Sequence, residues 1–298
     1  MTTRTVSELI DLGERVLRDS TAIFDDHDNH ADAEELLALA AGKTPDELRA
    51  DETPPSRVRQ RYLALIARRA SGEPLPFLTG RIEFRGLDLQ VRPGAFVPRP
   101  SSELLVARAV RRLRTRSAPV VVDVCTGAGP IALAIANEIP KADVWGTDIS
   151  TAGLAQGRRN ALRHDIDNVR FRNSDMYARL PRSLNQNVDA VVGHVPYVPP
   201  GELNDLPVEV KDHEPVYTLT GRSSDGLELV RRAAGEGFQL LKPGGWLLLE
   251  ISEDLAPRVR RICKKCGYED KGVYTDRYKL SAVVEARRPI TNRARAPR

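Results

Sequence analysis

From Pro119 onwards the chain alternates between two textures. Runs such as "PVVVDVC", "VDAVVG" and "GGWLLLEIS" are apolar almost throughout. Between them lie longer segments with the spacing of amphipathic helices: "GPIALAIANEI", "TAGLAQGRRNALRH", "SSDGLELVRRAAGEGFQLL" and "APRVRRICKKCG". A strand that is apolar on both faces must be buried on both faces, and helices are what cover it. The alternation predicts an α/β domain with a mostly parallel, Rossmann-like sheet between two helical layers. Further strands are expected at "ADVWGTDIS", "VRFRNSD" and, last, "LSAVVEARR".

The first quarter reads differently. "VSELIDLGERVL" places Leu9, Leu12 and Val16 on one face with Ser7 as the expected N-cap, and "DAEELLALAAG" stops at Gly42. "TPDELRA" opens a helix with Thr44 and Pro45, and "PPSRVRQRYLALIARRASG" is a longer helix closed by Gly72. No strand pattern interrupts them. The expected organisation is a helical domain over 1–75, a β-hairpin linker over 76–98 within "RIEFRGLDLQVRPGAFVPRP", a sheet domain over 99–290, and a disordered tail over 291–298. The helical domain is expected to choose the substrate, which enters between it and the sheet domain.

Bulk properties narrow the function by exclusion. A formal charge of +4 on 298 residues is mild. The arginines at 108, 111, 112, 114 and 116 recur at helical spacing, which reads as a solvated helix face and not as a nucleic-acid surface. Three cysteines imply no disulfide framework, and the lone C-x-x-C at Cys263 and Cys266 lacks the second ligand pair a structural zinc needs. No metal is expected. With no signal-peptide pattern and no apolar run of membrane-spanning length, the chain is expected to be cytoplasmic, away from membranes, and a monomer or weak dimer.

The chemistry is expected where strands end. "VVVDVCTGAGPIALA" is strand, glycine-containing turn, helix, with Cys125, Thr126, Gly127, Ala128 and Gly129 forming the turn. The third glycine of a dinucleotide fingerprint is missing, and no Lys-Ser/Thr pair follows to make a phosphate loop. The next strand ends in Asp148, followed by Ile149; a carboxylate there accepts two hydrogen bonds from a ribose diol. Asp175, followed by Met176, ends the next and is placed to accept from an adenine amino group. Nucleoside recognition without phosphate machinery points to S-adenosyl-L-methionine.

At this point the residues carry a family resemblance. "EPLPFLTGRIEFRGLDLQVRPGAFVPRPSSELLV", "DVCTGAGPIALA" and "EVKDHEPVYTLTGRSSDGLELVRRAAGEGFQLLKPGGWLLLEI" resemble the HemK/PrmC-type glutamine methyltransferases over nearly the whole chain. The resemblance implies a class I S-adenosylmethionine-dependent methyltransferase domain behind a helical substrate-recognition domain. It also implies an Asn-Pro-Pro-Tyr tetrapeptide at the end of the fourth strand, whose Asn and a neighbouring backbone carbonyl grip the substrate amide. Here that tetrapeptide reads His194-Val195-Pro196-Tyr197, and Cys125 stands where the family usually has Gly.

An amide and an Asn side chain offer matching donor and acceptor sets, whereas a neutral imidazole has one of each in a different place. The substitution is read as turning the scaffold towards another planar nitrogen, a small-molecule guanidino acceptor such as free arginine. Glu103, Glu209 and Glu214 are the candidate carboxylates, His194 faces the transferred methyl, and Tyr197 walls the planar group. The alternatives are a release-factor glutamine N5-methyltransferase and a non-catalytic cofactor-binding protein.

Overall fold

The computed structural model describes residues 4–23, 28–276 and 281–290. The tail from 291 onwards, expected to be disordered, lies outside the described residues. In chain order the elements are α1 (Val6–Arg18), α2 (Asn29–Ala41), α3 (Ser56–Ala70), α4 (Leu75–Thr79), β1 (Arg81–Phe84) and β2 (Leu87–Gln90). Then come α5 (Ser102–Leu113), β3 (Val120–Val124), α6 (Pro130–Glu138), β4 (Asp143–Asp148), α7 (Thr151–Arg163), β5 (Val169–Asn173) and β6 (Val188–Gly193). The chain finishes with α8 (Val208–Lys211), α9 (Glu228–Leu240), β7 (Leu241–Ser252), α10 (Ala256–Lys265), β8 (Glu269–Thr275) and β9 (Ser281–Arg287).

These elements fall into two compact units. The first takes Met1–Ile82, Val91–Pro93 and Asn204–Pro215; the second takes Glu83–Gln90, Gly94–Leu203 and Val216–Arg298. In the first, α1, α2 and α3 bury Leu9, Leu17, Leu36, Leu37, Tyr62 and Ile66 against one another. The N-cap of α1 is Thr5, not Ser7, in a capping box with Glu8 that satisfies two end amides reciprocally. "TPDELRA" makes only a single 3-10 turn, Pro45–Glu47, because the chain turns extended at Leu48. Gly13 sits inside α1 for space: a Cβ there would fall 2.0 Å from the Tyr62 hydroxyl oxygen, which donates to the Leu9 carbonyl at 3.0 Å.

A buried cation organises the rest of this unit. Arg69, wholly buried on α3, donates to Asp32 of α2 at 2.8 Å and lies 3.2 Å from Glu209 of α8. Removing a charge from water costs several kcal/mol, and two carboxylates are what offset it. That pairing makes the distant segment 204–215 part of the helical unit.

The second unit is a seven-stranded sheet in the order β5-β4-β3-β6-β7-β9-β8. The pairs from β5 through β7 are parallel, and β9 runs antiparallel to both β7 and β8. Its central strands are closed to solvent on both faces, as their composition requires. The edge strand β8 has no apolar signature to announce it, since every one of its residues is exposed or half-buried. The arginine face of α5 is not wholly solvated. Arg108 and Arg112 both pair with the buried Glu285 of β9, and their guanidinium groups lie over the Tyr274 and Trp246 rings. Cys263 is buried on α10 and Cys266 follows at its end.

Candidate active site

In a parallel sheet, ligands bind outside the carboxyl ends of strands where the strand order reverses. Here the chain runs outward through β3, β4 and β5, then returns to the other side of β3 with β6. The reversal lies between β3 and β6, so the segments that leave those two strands, Cys125–Gly129 and His194–Tyr197, are the ones that flank the crevice.

The two glycines of the first segment have different tasks. Gly127 has φ 56°, and a Cβ added to it would meet nothing within 4 Å, so its bare backbone opens onto free space. Gly129 has φ 82°, but its Cβ would strike the Phe171 ring at 2.6 Å. Gly146 and Gly157 are also cleared for Phe171, at 2.8 and 2.9 Å. Gly129 was expected to bare the backbone for a ligand; the contact shows that its missing side chain also makes room for an aromatic ring from β5. Cys125 adopts φ 58°, the left-handed region that costs an L-residue roughly 1–2 kcal/mol. Its Sγ lies 3.9 Å from the Met176 sulfur, and burial raises the thiol pKa, so it stays a neutral thiol. Thr126 donates to the fully buried Asp123, whose carboxyl burial pushes up to about 7.

Asp148 holds the turn from the next strand. One of its oxygens accepts from the Gly127 amide at 2.8 Å and the other from the Ser150 amide at 2.7 Å. Burial raises its pKa and these amides oppose the shift. Each oxygen retains a lone pair for a further donor. Ile149 beside it is 42% exposed, which leaves an apolar face open next to the carboxylate. Asp175 is half-exposed and carries Arg232 on both oxygens, at 2.9 and 3.1 Å.

The second segment is held tightly. A Cβ at Gly193 would fall 2.7 Å from the Val124 carbonyl oxygen, so only glycine lets β6 end this close to β3. The Val198 amide donates to the Leu219 carbonyl, and the Gly221 amide donates back to Val198. Gly226, at φ 70°, packs where a Cβ would meet the Tyr197 carbonyl oxygen at 2.1 Å. Val195 is fully buried in the sheet core, so its side chain faces inward, away from the position expected of a substrate contact. His194 is left with its side chain 15% exposed, stacked on Tyr197 at 5.8 Å between centroids and edge-on to Phe96 at 5.3 Å. Its Nδ1 lies 3.5 Å from both the Ser102 hydroxyl and the Glu250 carboxylate. Desolvation lowers the His194 pKa; Glu250 opposes that and Arg99 adds to it. Burial first, then Glu250, pushes Tyr197 up to about 12, so its phenol stays protonated.

Of the expected carboxylates, Glu103 accepts from the Arg85 amide at 3.3 Å within the second unit. Glu209 and Glu214 are buried residues of the first unit, and Glu209 is paired with Arg69. The residues around His194 that the sequence reading missed are Phe96, Ser102 and Glu250. The first two lie in the "FVPRPSS" stretch that directly precedes Glu103. Glu250 lies inside an apolar strand, and a carboxylate in such a strand is the one signal that was available.

Comparison with known proteins gives the chain's family. Residues 116–286 match a methyltransferase domain, and residues 8–80 match the PrmC N-terminal domain. The chain is 36% identical over 262 residues to a release factor glutamine methyltransferase of Streptomyces coelicolor, covering 87% of this chain and 91% of that one. It is 40% identical over 247 residues to a protein of the same name from Burkholderia pseudomallei, covering 80% and 85%. The chain belongs to the HemK/PrmC methyltransferase family. A crystal structure of a methyltransferase from Pyrococcus furiosus shares the fold, with a TM-score of 0.50 at 19% identity over 69% of this chain and 90% of that one.

Membership makes the protein an S-adenosylmethionine-dependent methyltransferase with a class I fold and a PrmC-type helical N-terminal domain. The residues present fit that cofactor. Gly127 opens onto free space, Asp148 retains acceptor lone pairs for a ribose diol, and Ile149 offers an exposed apolar face beside them. Among the described residues no cluster of His, Cys, Asp or Glu is arranged to hold a metal, and no helix is long and apolar enough to cross a membrane.

Proposed function

We propose that this enzyme methylates the side-chain nitrogen of a glutamine in a peptide chain release factor. The observation that carries the reading is the alignment with relatives of that name across both units, over 87% of this chain and 91% of the relative. Bound S-adenosylmethionine supplies an electrophilic methyl group on sulfur. The chain's own residues must hold an amide nitrogen in line with it and aim acceptors at the amide hydrogens, so that the nitrogen lone pair points forward. Cys125–Gly129, Asp148 and Ile149 are the proposed cofactor contacts, with Asp175 and Met176 towards the base. His194, Pro196 and Tyr197 are the proposed acceptor contacts.

The alternative acceptor, a small guanidino compound such as free arginine, rests on the reading that His194 takes the place of the family Asn. A guanidinium is donor-only and needs carboxylates. Glu209 is committed to Arg69, and Glu103 already receives the Arg85 amide, which is why the glutamine reading is preferred. The test is mass spectrometry of products from a Gly-Gly-Gln peptide, an intact release factor and free arginine, each incubated with enzyme and cofactor. One methyl added to the glutamine of peptide or protein supports the proposal. Methylation of arginine alone sinks it.

A further inference from the structure

The parallel register explains how His194 comes to lie beside a carboxylate. Gly193 of β6 is level with Leu249 of β7, so the next residues along, His194 just past β6 and Glu250 within β7, lie side by side. Glu250 has no exposed surface. Its Oε1 accepts from the Ser101 hydroxyl at 2.9 Å. Its Oε2 is buried with no hydrogen-bond donor and lies 3.5 Å from His194 Nδ1. A buried carboxylate oxygen without a donor is costly, and a proton on the nearest ring nitrogen relieves that cost. The other groups facing the imidazole are the Ser102 hydroxyl, also 3.5 Å from Nδ1, the Phe96 and Tyr197 rings, and the Arg99 guanidinium, which stacks over Phe96 at 4.4 Å. Of these only Arg99 is charged, and it disfavours a second proton on the ring.

We infer that Glu250 is a positioning residue that fixes His194 as the neutral tautomer protonated on Nδ1, so that Nε2 presents a lone pair to an N–H of the methyl acceptor. In neutral imidazole one nitrogen donates and the other accepts, and the partner of the first decides the role of the second. The outcome restores what the loss of Asn removed. A carboxamide oxygen accepts an N–H from the substrate amide, and so does a bare imidazole nitrogen. The inference takes the identity of the N–H from the glutamine reading, but the tautomer itself does not depend on it.

The test is a long-range proton–nitrogen correlation spectrum of the full chain labelled with nitrogen-15 in histidine, recorded near neutral pH. His194 is assigned by the resonance pair that disappears in His194→Gln. The expected result in the unaltered protein is a protonated, pyrrole-type Nδ1 and an unprotonated, pyridine-type Nε2. In Glu250→Gln the new amide, with its oxygen kept by Ser101, donates to Nδ1 and reverses the tautomer. kcat on the Gly-Gly-Gln peptide is then expected to fall at least tenfold, with S-adenosylmethionine affinity unchanged. Ser101→Ala retains the carboxylate and is expected to retain the original tautomer. An Nε2-protonated His194 in the unaltered protein overturns the inference whether or not Glu250→Gln folds. So does a Glu250→Gln protein whose tautomer is unmoved. The expected tautomer together with an unmethylated peptide and release factor would count against the glutamine reading alone.

Discussion

Asp148, half-buried, and Asp123, fully buried, are both carboxylates near strand ends, and their partners separate their roles. Asp148 spends one lone pair of each oxygen on the Gly127 and Ser150 amides, which orients it for further donors. Asp148→Ala is expected to weaken S-adenosylmethionine binding by about 2–4 kcal/mol, the worth of a pair of charge-assisted hydrogen bonds. Titration calorimetry checks this, and unchanged affinity would remove Asp148 from the cofactor site. Asp123 receives the Thr126 hydroxyl and is otherwise enclosed, so its folded-state pKa of about 7 lies above its unfolded value. The native state therefore holds a proton that the unfolded chain releases near pH 4, and stability falls as pH rises from there through about 7. Asp123→Asn cannot ionise. Its melting temperature relative to the parent is expected to improve from pH 5 to about pH 7 and then level off; a pH-independent difference would refute the assignment.

At the scale of elements, the mouth of the candidate site is shaped by a clamp on an irregular segment more than by any helix or strand. Proline limits the conformations of "HVPYVPP" locally. What locates it is the bridge to Leu219–Gly221 and the close approach of Gly226 to the Tyr197 carbonyl. Gly226→Ala puts a methyl where no flexible side chain can yield and forces a positive φ on an L-residue. A loss of at least ~2 kcal/mol in stability is expected. Catalytic turnover should fall further than cofactor affinity does, since Tyr197 and His194 are displaced while Gly127 and Asp148 are not. A urea midpoint equal to that of the parent would show that the clamp is slack.

The two units each have a core of their own, but the chain does not divide at a single point. Segment 204–215 lies far along the sequence and joins the helical unit, with its Glu209 buried against Arg69. Deleting residues 1–75 removes Arg69 and leaves Glu209 without its cation. The sheet unit is expected to keep S-adenosylmethionine affinity within about tenfold, a change of ~1.4 kcal/mol, because no cofactor contact is assigned to the helices. Hydrogen exchange in 204–215 should rise towards unfolded rates in the same protein. A folded truncation that binds no cofactor would place part of the cofactor site in the first unit.

How much of this was legible beforehand depends on the range of the interaction that decides it. The sheet, the helical first unit, the Gly127 turn and the carboxylate at Asp148 were all readable, because apolar runs, glycines and strand-end acids act on their immediate neighbours in the chain. The edge strand β8 was not, because an exposed strand needs no apolar pattern. The second task of Gly129 was not legible either, because sequence shows a missing side chain but not the Phe171 ring packed where a Cβ would lie. The arginines of α5 were read as solvated because the buried Glu285 that receives two of them lies on the last strand. The sequence alone determined that a histidine, His194, follows the end of β6. Only the tertiary structure decided its partner: the β6–β7 register sets Glu250 beside it, and that register comes from packing two buried strands together, which no local stretch of sequence encodes.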